Sequence, residues 1–302
     1  MRRPATSRPV VIVDRDPAHG HYLAAVLEAA GLHTVLADTV EEGEELAATS
    51  SAVVLHGPQK PAVLRDLDPH ARERREQLRG VIDRRAFEGV FQPMVALYKA
   101  EVVGYEALTR FDDGTPPDHR FADAAALGLG PELELATIGA AVAAARELPP
   151  GRFVSINLSP ELILTHRDEL EAAIGELHAH HPVVFELTEH DVVHDYASLR
   201  ANLSRFDPPV QLSVDDAGAG FSTLRHVVML DPEYVKLDRT WVSEIDTDPT
   251  RQALVAGLSH FARTTGCQLV AEGIESESER DTLADLDVSL GQGFLLGPPA
   301  RA

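Results

Sequence analysis

Two adjacent carboxylates, Asp215 and Asp216, offer the clearest chemistry in the sequence. They follow an apolar run at residues 210–214 that reads as a strand, and a turn with Gly218 and Gly220 comes directly after them. Neighbouring carboxylates repel each other unless cations neutralise them, and oxygen ligands suit Mg²⁺ or Mn²⁺ better than zinc. A solvated Asp–Asp turn is the ordinary alternative, so the prediction of a metal site depends on what surrounds the pair.

The elements that would position this pair are apolar runs that alternate with helix-like stretches from residue 90 onward. The runs are VFQPMVAL, VVGYEALTRF, RFVSINLS, VVFELTE, VQLSVDD, YVKLD, QLVAEGIE and LGQGFLLG. Eight such strands with helices between most of them predict an α/β fold of the TIM type, a (β/α)₈ barrel. The first two runs are joined without a helix, so we expect one strand to be antiparallel.

A polar residue stands near the end of nearly every run. The set is Glu106, Asn157, Glu186, Asp215 with Asp216, Lys236, Glu272 and Gln292. Because the carboxyl ends of barrel strands meet at one mouth, we expect these side chains to converge there. Buried carboxylates are rare unless they are paired or bound to metal. Taken singly, each residue reads equally well as a helix cap or an ordinary ion pair.

These stretches resemble the EAL-domain phosphodiesterases of bacteria, which hydrolyse cyclic di-GMP. The resemblance covers about residues 80–300, with its motifs in order: GYEALTRF, INLS, ELTE, VDDAGAGFSTL, VKLD, AEGIE and GQGFLLG. The loop departs from the family pattern, because Ala217, Ala219 and Phe221 stand where Phe, Thr and Tyr are commoner. The lost hydroxyl groups put the order of this loop, and its coupling to a dimer, in doubt.

The resemblance implies hydrolysis of cyclic di-GMP to linear pGpG with two divalent ions, Mg²⁺ or Mn²⁺. The implied ligands of one ion are Glu106, Asn157, Glu186 and Asp215. Asp216 would bridge to the second ion and take part in catalysis, and Lys236 and Glu272 would position and activate the attacking water. Glu189 would anchor the glycine-containing loop. The implied contacts to the dinucleotide are Gln92, Leu108, Arg110, Glu275 and Gln292. A homodimer through residues 217–235 is also implied.

Two other functions compete with this one. A non-catalytic cyclic di-GMP sensor would use the same mouth, and a barrel metalloenzyme for another phosphate ester would use the same metals. The complete set of acids, together with Lys236 and Glu189, favours catalysis.

The net charge of the 302-residue chain is −21, and it is distributed unevenly. Residues 1–89 carry 12 basic and 14 acidic side chains, whereas residues 90–302 carry 15 basic and 34 acidic side chains. So acidic a surface argues against nucleic-acid polymers and anionic membranes as partners. An anionic substrate would bind only where cations invert the local field.

The sequence also predicts a cytoplasmic location. Its apolar runs fall well short of the ~18 residues that a membrane span requires. Pro4 follows Met1, Arg2 and Arg3 in place of a long apolar region, so we expect no signal peptide. The single Cys267 excludes an intrachain disulfide and fits a reducing compartment.

Residues 1–64 read as strand, helix, strand, helix, strand, and residues 65–85 as a linker helix before a barrel over residues 86–302. The first segment resembles the first half of a two-component receiver domain, with Asp14 and Asp16 at the acidic pocket. His56 stands at the position of the phospho-accepting aspartate, and the later receiver elements are missing. We therefore expect a truncated receiver-like segment that is not phosphorylated, and an unrelated α/β cap is the alternative.

Three further histidines, His178, His180 and His181, form a cluster that looks able to bind metal. They precede a strand, so they belong at the opposite end of the barrel from the mouth. We expect them in a solvated loop.

Overall fold

The computed structural model describes residues 10–13, 34–37, 53–56, 71–187, 193, 195–217 and 221–302. The chain divides into two compact units, residues 1–78 with 124–128 and residues 79–123 with 129–302. Within the described ranges, no helix is both long enough and apolar enough to cross a membrane. The domain boundaries expected from the sequence stay predictions.

A parallel three-stranded sheet lies in the first unit. Its strands are β1 (Val10–Val13), β2 (Thr34–Ala37) and β3 (Val53–His56), in the order β2-β1-β3. Parallel neighbours need long crossovers, and the intervening segments are long enough to supply them. The three predicted strands are therefore confirmed, whereas the helices expected between them, Asp14 and Asp16 lie outside the described residues. His56 ends β3 opposite Val13, and the receiver resemblance stays a prediction.

The strands of the second unit close into an eight-stranded barrel, as predicted. They are β4 (Phe87–Ala96), β5 (Glu101–Phe111), β6 (Phe153–Asn157), β7 (Val183–Leu187), β8 (Gln211–Ala217), β9 (Tyr234–Leu237), β10 (Gln268–Ala271) and β11 (Leu290–Gly291). Around the barrel the order is β10-β11-β4-β5-β6-β7-β8-β9. β4 runs antiparallel to both of its neighbours, and the other neighbouring pairs are parallel. The connection at residues 97–100 is too short for a crossover, which explains the antiparallel strand.

Helices connect most of the barrel strands, as the alternation of apolar runs and helix-like stretches predicts. The described helices are α1 (Ala71–Asp83), α2 (Pro117–Leu127), α3 (Gly130–Ala144), α4 (Pro160–Thr165), α5 (Arg167–His178), α6 (Tyr196–Leu203), α7 (Phe221–Leu230), α8 (Arg239–Val242), α9 (Pro249–Thr265) and α10 (Glu277–Asp285). α1 lies within the expected linker. α9 shows how the sequence sets such a helix: Asp248 caps its first turn, and Gly266 ends it in the left-handed region.

Several of the parallel barrel strands are buried on both faces, whereas β4 and β5 are buried only in part. All five residues of β7 are buried, because helices cover the sheet from outside while side chains fill the barrel inside. One apolar cluster joins β6 and β7 to α3 and α5, and a second surrounds β9 and β10. Polar side chains that are buried near the carboxyl ends of these strands, such as Glu186 and Lys236, are therefore held in a rigid, largely dry setting.

The last strand is shorter than its apolar run predicts, since β11 contains only Leu290 and Gly291. Beyond β11 the chain passes very close to the segment that follows β10. A Cβ on Gly293 would lie 2.2 Å from the backbone N and O of Ile274 in that segment. The backbone N–H of Leu295 then donates to the Ile274 carbonyl at 3.1 Å. These contacts end the strand and hold the GQGFLLG segment against the AEGIE segment.

The prediction of a solvated histidine loop is wrong for His181. This residue is 4% exposed, and its Nδ1 lies 2.9 Å from the carbonyl oxygen of Arg152. The prediction is also wrong for His178, which is half-buried and is the last residue of α5, whereas His180 is exposed in the turn that follows. The cluster does precede β7, at the end of the barrel away from the mouth.

Candidate functional site

Lys236 on β9 is the centre of the polar cluster, with 1% of its side chain exposed. Its Nζ lies 2.7 Å from Glu272 Oε1, 3.5 Å from Asp215 Oδ2 and 3.6 Å from Glu106 Oε2. It also donates a hydrogen bond to Glu186 Oε1. Among the described side chains, one buried amine is therefore shared by four carboxylates.

Strand register brings these residues together. Asn157 at the end of β6 is paired with Glu186 on β7, and Gln92 on β4 is opposite Glu106 on β5. Glu272 follows β10 directly, and its backbone N–H donates to the carbonyl of Leu237 at 3.1 Å. The side chains come from the seven neighbouring strands β4 to β10 yet meet at one mouth, because the barrel is closed.

The carboxylates outnumber the single ammonium, and this excess changes their proton affinities. Burial raises the pKa of Glu186 well above its usual range, and the charges of Glu106, Asp215 and Glu272 add to that effect. Burial, with Asp215 and Glu106, also raises the pKa of Glu272 to about 8, although Lys236 acts in the opposite direction. Without an added cation, the cluster therefore favours holding protons on some of its acids.

Two members of the cluster keep their charge. Burial alone would raise the pKa of Glu106, but Lys236 and the amides of Gln292 and Asn157 lower it overall. Burial alone would lower the pKa of the Lys236 ammonium, but the surrounding carboxylates raise it well above its usual range. The ammonium is thus a fixed positive charge in this mouth.

The residues fit a divalent cation. Glu106, Glu186 and Glu272 each offer an oxygen, and these atoms lie within 4.8 Å of one another. The second oxygen of Glu186, Oε2, is buried and has no hydrogen-bond partner. An unpaired carboxylate oxygen in a negative pocket is costly, and a hard cation with oxygen ligands would remove that cost. Glu272 belongs to this cluster, although sequence reasoning gave it only a catalytic role.

Two amides hold Glu106 in place, and a third holds one of those amides. Asn157 Nδ2 donates to its Oε1 at 2.9 Å, and Gln292 Nε2 donates to its Oε2 at 2.7 Å. Gln292 Nε2 also lies 2.8 Å from Gln92 Oε1, and Gln92 Nε2 donates to the carbonyl of Gly297 at 3.1 Å. The two glutamines that the resemblance assigns to the dinucleotide therefore also support a carboxylate of the cluster.

The remaining residues assigned to the dinucleotide lie farther out. Leu108 is half-buried on β5, and Arg110 is exposed, with its guanidinium donating to the carbonyl of Thr109 at 3.0 Å. Glu275 forms an ion pair with Arg239, with 2.7 Å between Oε1 and Nη2. Gly273 makes room for that pair, because a Cβ there would lie 2.6 Å from Arg239 Cγ.

Two predicted residues, Asp216 and Glu189, fall partly or wholly outside the described structure. The backbone of Asp216 belongs to β8, but its side chain is outside the described part of the structure. Glu189, the expected loop anchor, and Gly218 to Gly220 lie outside the described residues. Their roles stay predictions.

Sequence reasoning missed a buried acid that fixes the AEGIE segment. Glu279 is 7% exposed and accepts hydrogen bonds from the backbone N–H groups of Glu275 at 2.9 Å and Ser276 at 3.0 Å. It also accepts from the backbone N–H of Glu244 at 3.0 Å. The S-x-x-E spacing of Ser276 and Glu279 is a capping-box signature and would have predicted this arrangement.

A family model described as "EAL domain" matches residues 75–299. The cyclic di-GMP phosphodiesterase RocR of Pseudomonas aeruginosa is 30% identical over 237 residues, which cover 72% of this chain and 58% of RocR. The probable cyclic di-GMP phosphodiesterase PdeN of Escherichia coli K12 is 26% identical, with 72% of this chain and 44% of PdeN covered. The chain spans about half the length of these curated relatives.

Solved structures agree with the sequence comparison. Klebsiella pneumoniae BlrP1, in a complex with manganese and cy-diGMP, is 30% identical with a TM-score of 0.63, over 71% of this chain and 56% of that one. A calcium and cy-diGMP complex of the same protein is 27% identical with a TM-score of 0.64, over 89% of this chain and 74% of that one. The family match, which covers most of the chain, is consistent with the barrel and its mouth, and the chain therefore belongs to the EAL domain family.

Proposed function

We propose that this chain hydrolyses cyclic di-GMP to linear pGpG with two divalent ions, Mg²⁺ or Mn²⁺. The observation that carries the proposal is the buried Lys236 ammonium shared by Glu106, Glu186, Asp215 and Glu272. A ring with more acids than bases favours cations, and a bound cation lets an acidic protein accept an anionic phosphodiester. The name of RocR and the cy-diGMP bound to BlrP1 support this choice of substrate.

The residues available to hold the ions are those that line the mouth. Glu106, Asn157, Glu186 and Asp215 would hold one ion, and Asp216 would reach the second. Bound together, such ions supply Lewis-acid polarisation of the phosphodiester and a more acidic water. The orphaned Oε2 of Glu186 supports a ligand role for that residue.

Lys236 and Glu272 would act on the reacting groups. The carboxyl of Glu272, with a pKa of about 8, exchanges its proton near neutral pH and suits acceptance of a proton from the attacking water. The Lys236 ammonium lies 2.7 Å away and would donate to that water or to the phosphoryl oxygens as their charge grows. Because both side chains are held by packed strands, little reorganisation is needed during the reaction.

The outer residues would bind the rest of the dinucleotide. Leu108, Arg110 and Glu275 would contact it from around the mouth, and Gln92 and Gln292 from the wall of the mouth. Glu275 is pre-positioned by Arg239, and its carboxylate can accept hydrogen bonds from a guanine edge. These contacts would give specificity for the nucleotide, whereas the acids and Lys236 would carry the reaction.

The assembly and setting of the chain are proposals as well. Residues 217–235 would form a homodimer interface, and α7 within this range exposes 67% of Val228 and 43% of Met229. The segment 1–64 would be a receiver-like accessory domain in a cytoplasmic protein, and the barrel domain would begin near residue 86.

The test is product analysis of purified protein incubated with cyclic di-GMP and either Mg²⁺ or Mn²⁺, followed by chromatography. The expected product is pGpG, and the Glu106→Gln variant should yield far less. Tight binding of intact cyclic di-GMP without any product would favour the non-catalytic sensor. Hydrolysis of other phosphate esters, with cyclic di-GMP left intact, would favour a barrel metalloenzyme for another phosphate ester.

A further inference from the structure

A contact between α3 and the turn after β6 connects a helix to the predicted metal site. Glu134 on α3 accepts two hydrogen bonds from Ser159: the backbone N–H donates to Oε2 at 2.8 Å and the hydroxyl donates to Oε1 at 2.9 Å. The same Ser159 hydroxyl accepts from the backbone N–H of Leu162 and so caps α4. The turn is thereby fixed to a helix on one side and to a helix start on the other.

Asn157, the last residue of β6, leads into this turn and lies two residues before Ser159. Between them, Leu158 is 5% exposed, and its backbone N–H donates to the carbonyl of Glu186 at 3.2 Å. The peptide groups on both sides of Leu158 are therefore held: the Leu158 N–H by β7, and the Ser159 N–H by Glu134. Little freedom is left to the backbone that aims the Asn157 side chain.

α3 is a firm base for such a contact. Leu133, directly before Glu134, is fully buried, and Ile138 and Val142 belong to the core cluster that also contains Val154 and Ile156 of β6. The helix and the strand thus share one packed core, so the distance that Glu134 spans is set by the fold.

Asn157 needs this support more than the acids do. A carboxylate is drawn to a cation by its full charge, whereas an amide oxygen offers only a dipole. Asn157 also ends its strand with an exposed side chain, so neighbouring side chains restrain it less than they restrain Glu106 or Glu186. Its place in a coordination sphere depends on how well the backbone is pre-positioned.

We propose that Glu134 is a positioning residue for the metal site, acting through Ser159 on the Asn157 amide. The inference rests on the proposed function, because it assigns a support to one of the proposed ligands. Glu134 itself touches neither ion nor substrate. Partners that orient metal ligands commonly contribute 10–100-fold to metal affinity.

The test is calorimetric titration of the full chain with Mn²⁺, without substrate. Glu134→Leu removes both acceptors and should raise the Mn²⁺ dissociation constant by about 10-fold or more. Glu134→Gln should stay near wild type, since its amide can accept from the Ser159 N–H and donate to the hydroxyl. Glu132→Leu is the matched control, because Glu132 is exposed on the same helix and pairs only loosely with Arg79, at 3.8 Å.

A second readout separates positioning from general damage. The rate of Glu134→Leu at saturating Mn²⁺ should return close to the wild-type rate, because the defect lies in ion affinity. Ser159→Ala removes one of the two hydrogen bonds and carries the test if Glu134→Leu fails to fold; its dissociation constant should rise severalfold.

Equal Mn²⁺ affinity in wild type, Glu134→Leu and Ser159→Ala would overturn the inference and leave the proposed function standing. Equal losses in Glu134→Gln and Glu134→Leu would also overturn it, since charge and not hydrogen bonding would then be responsible. A wild-type chain that does not bind Mn²⁺ would overturn the proposed function and this inference together.

Discussion

The Nζ of Lys236 lies 2.7 Å from Oε1 of Glu272, and both groups are enclosed by the carboxylates of Glu106, Glu186 and Asp215. An ammonium is not needed to hold cations, because it has the same sign of charge. Its position instead suits a hydrogen bond to the attacking water and stabilisation of the charge that develops on the phosphoryl oxygens. Substitution of Lys236 should therefore affect the chemical step more than it affects binding of the substrate.

Lys236→Ala should lower the single-turnover rate in Mg²⁺ by roughly 10²-fold or more, as expected for loss of one electrostatic stabiliser. Binding of cyclic di-GMP, measured by calorimetry in Ca²⁺, should change far less, because the ions and the outer residues still contact the ligand. Glu106→Ala should lose Mn²⁺ affinity and activity together. Lys99→Ala removes an exposed lysine in the β4–β5 turn and should behave as wild type.

If Lys236→Ala binds cyclic di-GMP as poorly as it turns it over, Lys236 is a binding residue and the mechanism is misassigned. A normal rate in this variant would place the chemistry elsewhere in the barrel.

The raised pKa of Glu272 predicts how ion binding depends on pH. With a pKa of about 8, this carboxyl is mostly protonated at pH 6, and a cation bound beside it favours the charged form and displaces the proton. Mn²⁺ affinity should therefore strengthen from pH 6 to pH 8, by up to about 10-fold per pH unit for each displaced proton. In Glu272→Gln the dependence should be shallower by about one proton, and equal slopes in the two proteins would contradict the assignment.

Most of the mouth could be predicted from the sequence, because polar residues that interrupt apolar strands are uncommon and their strand ends converge in any barrel. Glu106, Asn157, Glu186, Lys236 and Glu272 were found this way. Their pairwise partners could not be predicted, since the sharing of Lys236 depends on how closely the closed barrel brings β5, β7 and β9 together.

The features that the sequence did not predict arise from contacts between residues far apart in the chain. β11 ends early because Gly293 packs against the backbone of Ile274, and a run of apolar residues does not reveal such a contact. The His181 ring is buried against the residue before β6, where its Nδ1 contacts the carbonyl oxygen of Arg152. No local sequence pattern indicates this contact. The hydrogen bonds from Ser159 to Glu134 join residues 25 apart in sequence.

Glu189 should matter although it is not among the proposed ligands. Glu189→Ala should lower the rate and speed amide hydrogen exchange in residues 216–222, because an anchor orients the ligands that it supports. Glu169→Ala, an exposed site on α5, is the control and should alter neither measurement. Unchanged exchange together with an unchanged rate would remove the role given to Glu189.

The rate of pGpG formation in four parallel conditions tests the central claim most directly: excess chelator, Mg²⁺, Mn²⁺ and Ca²⁺. Product should form in Mg²⁺ and in Mn²⁺ and should stop in chelator, because the acids around Lys236 act through bound cations. Ca²⁺ should support the reaction poorly, since its looser coordination positions two oxygens less well. Full activity in excess chelator would contradict the metal-dependent mechanism.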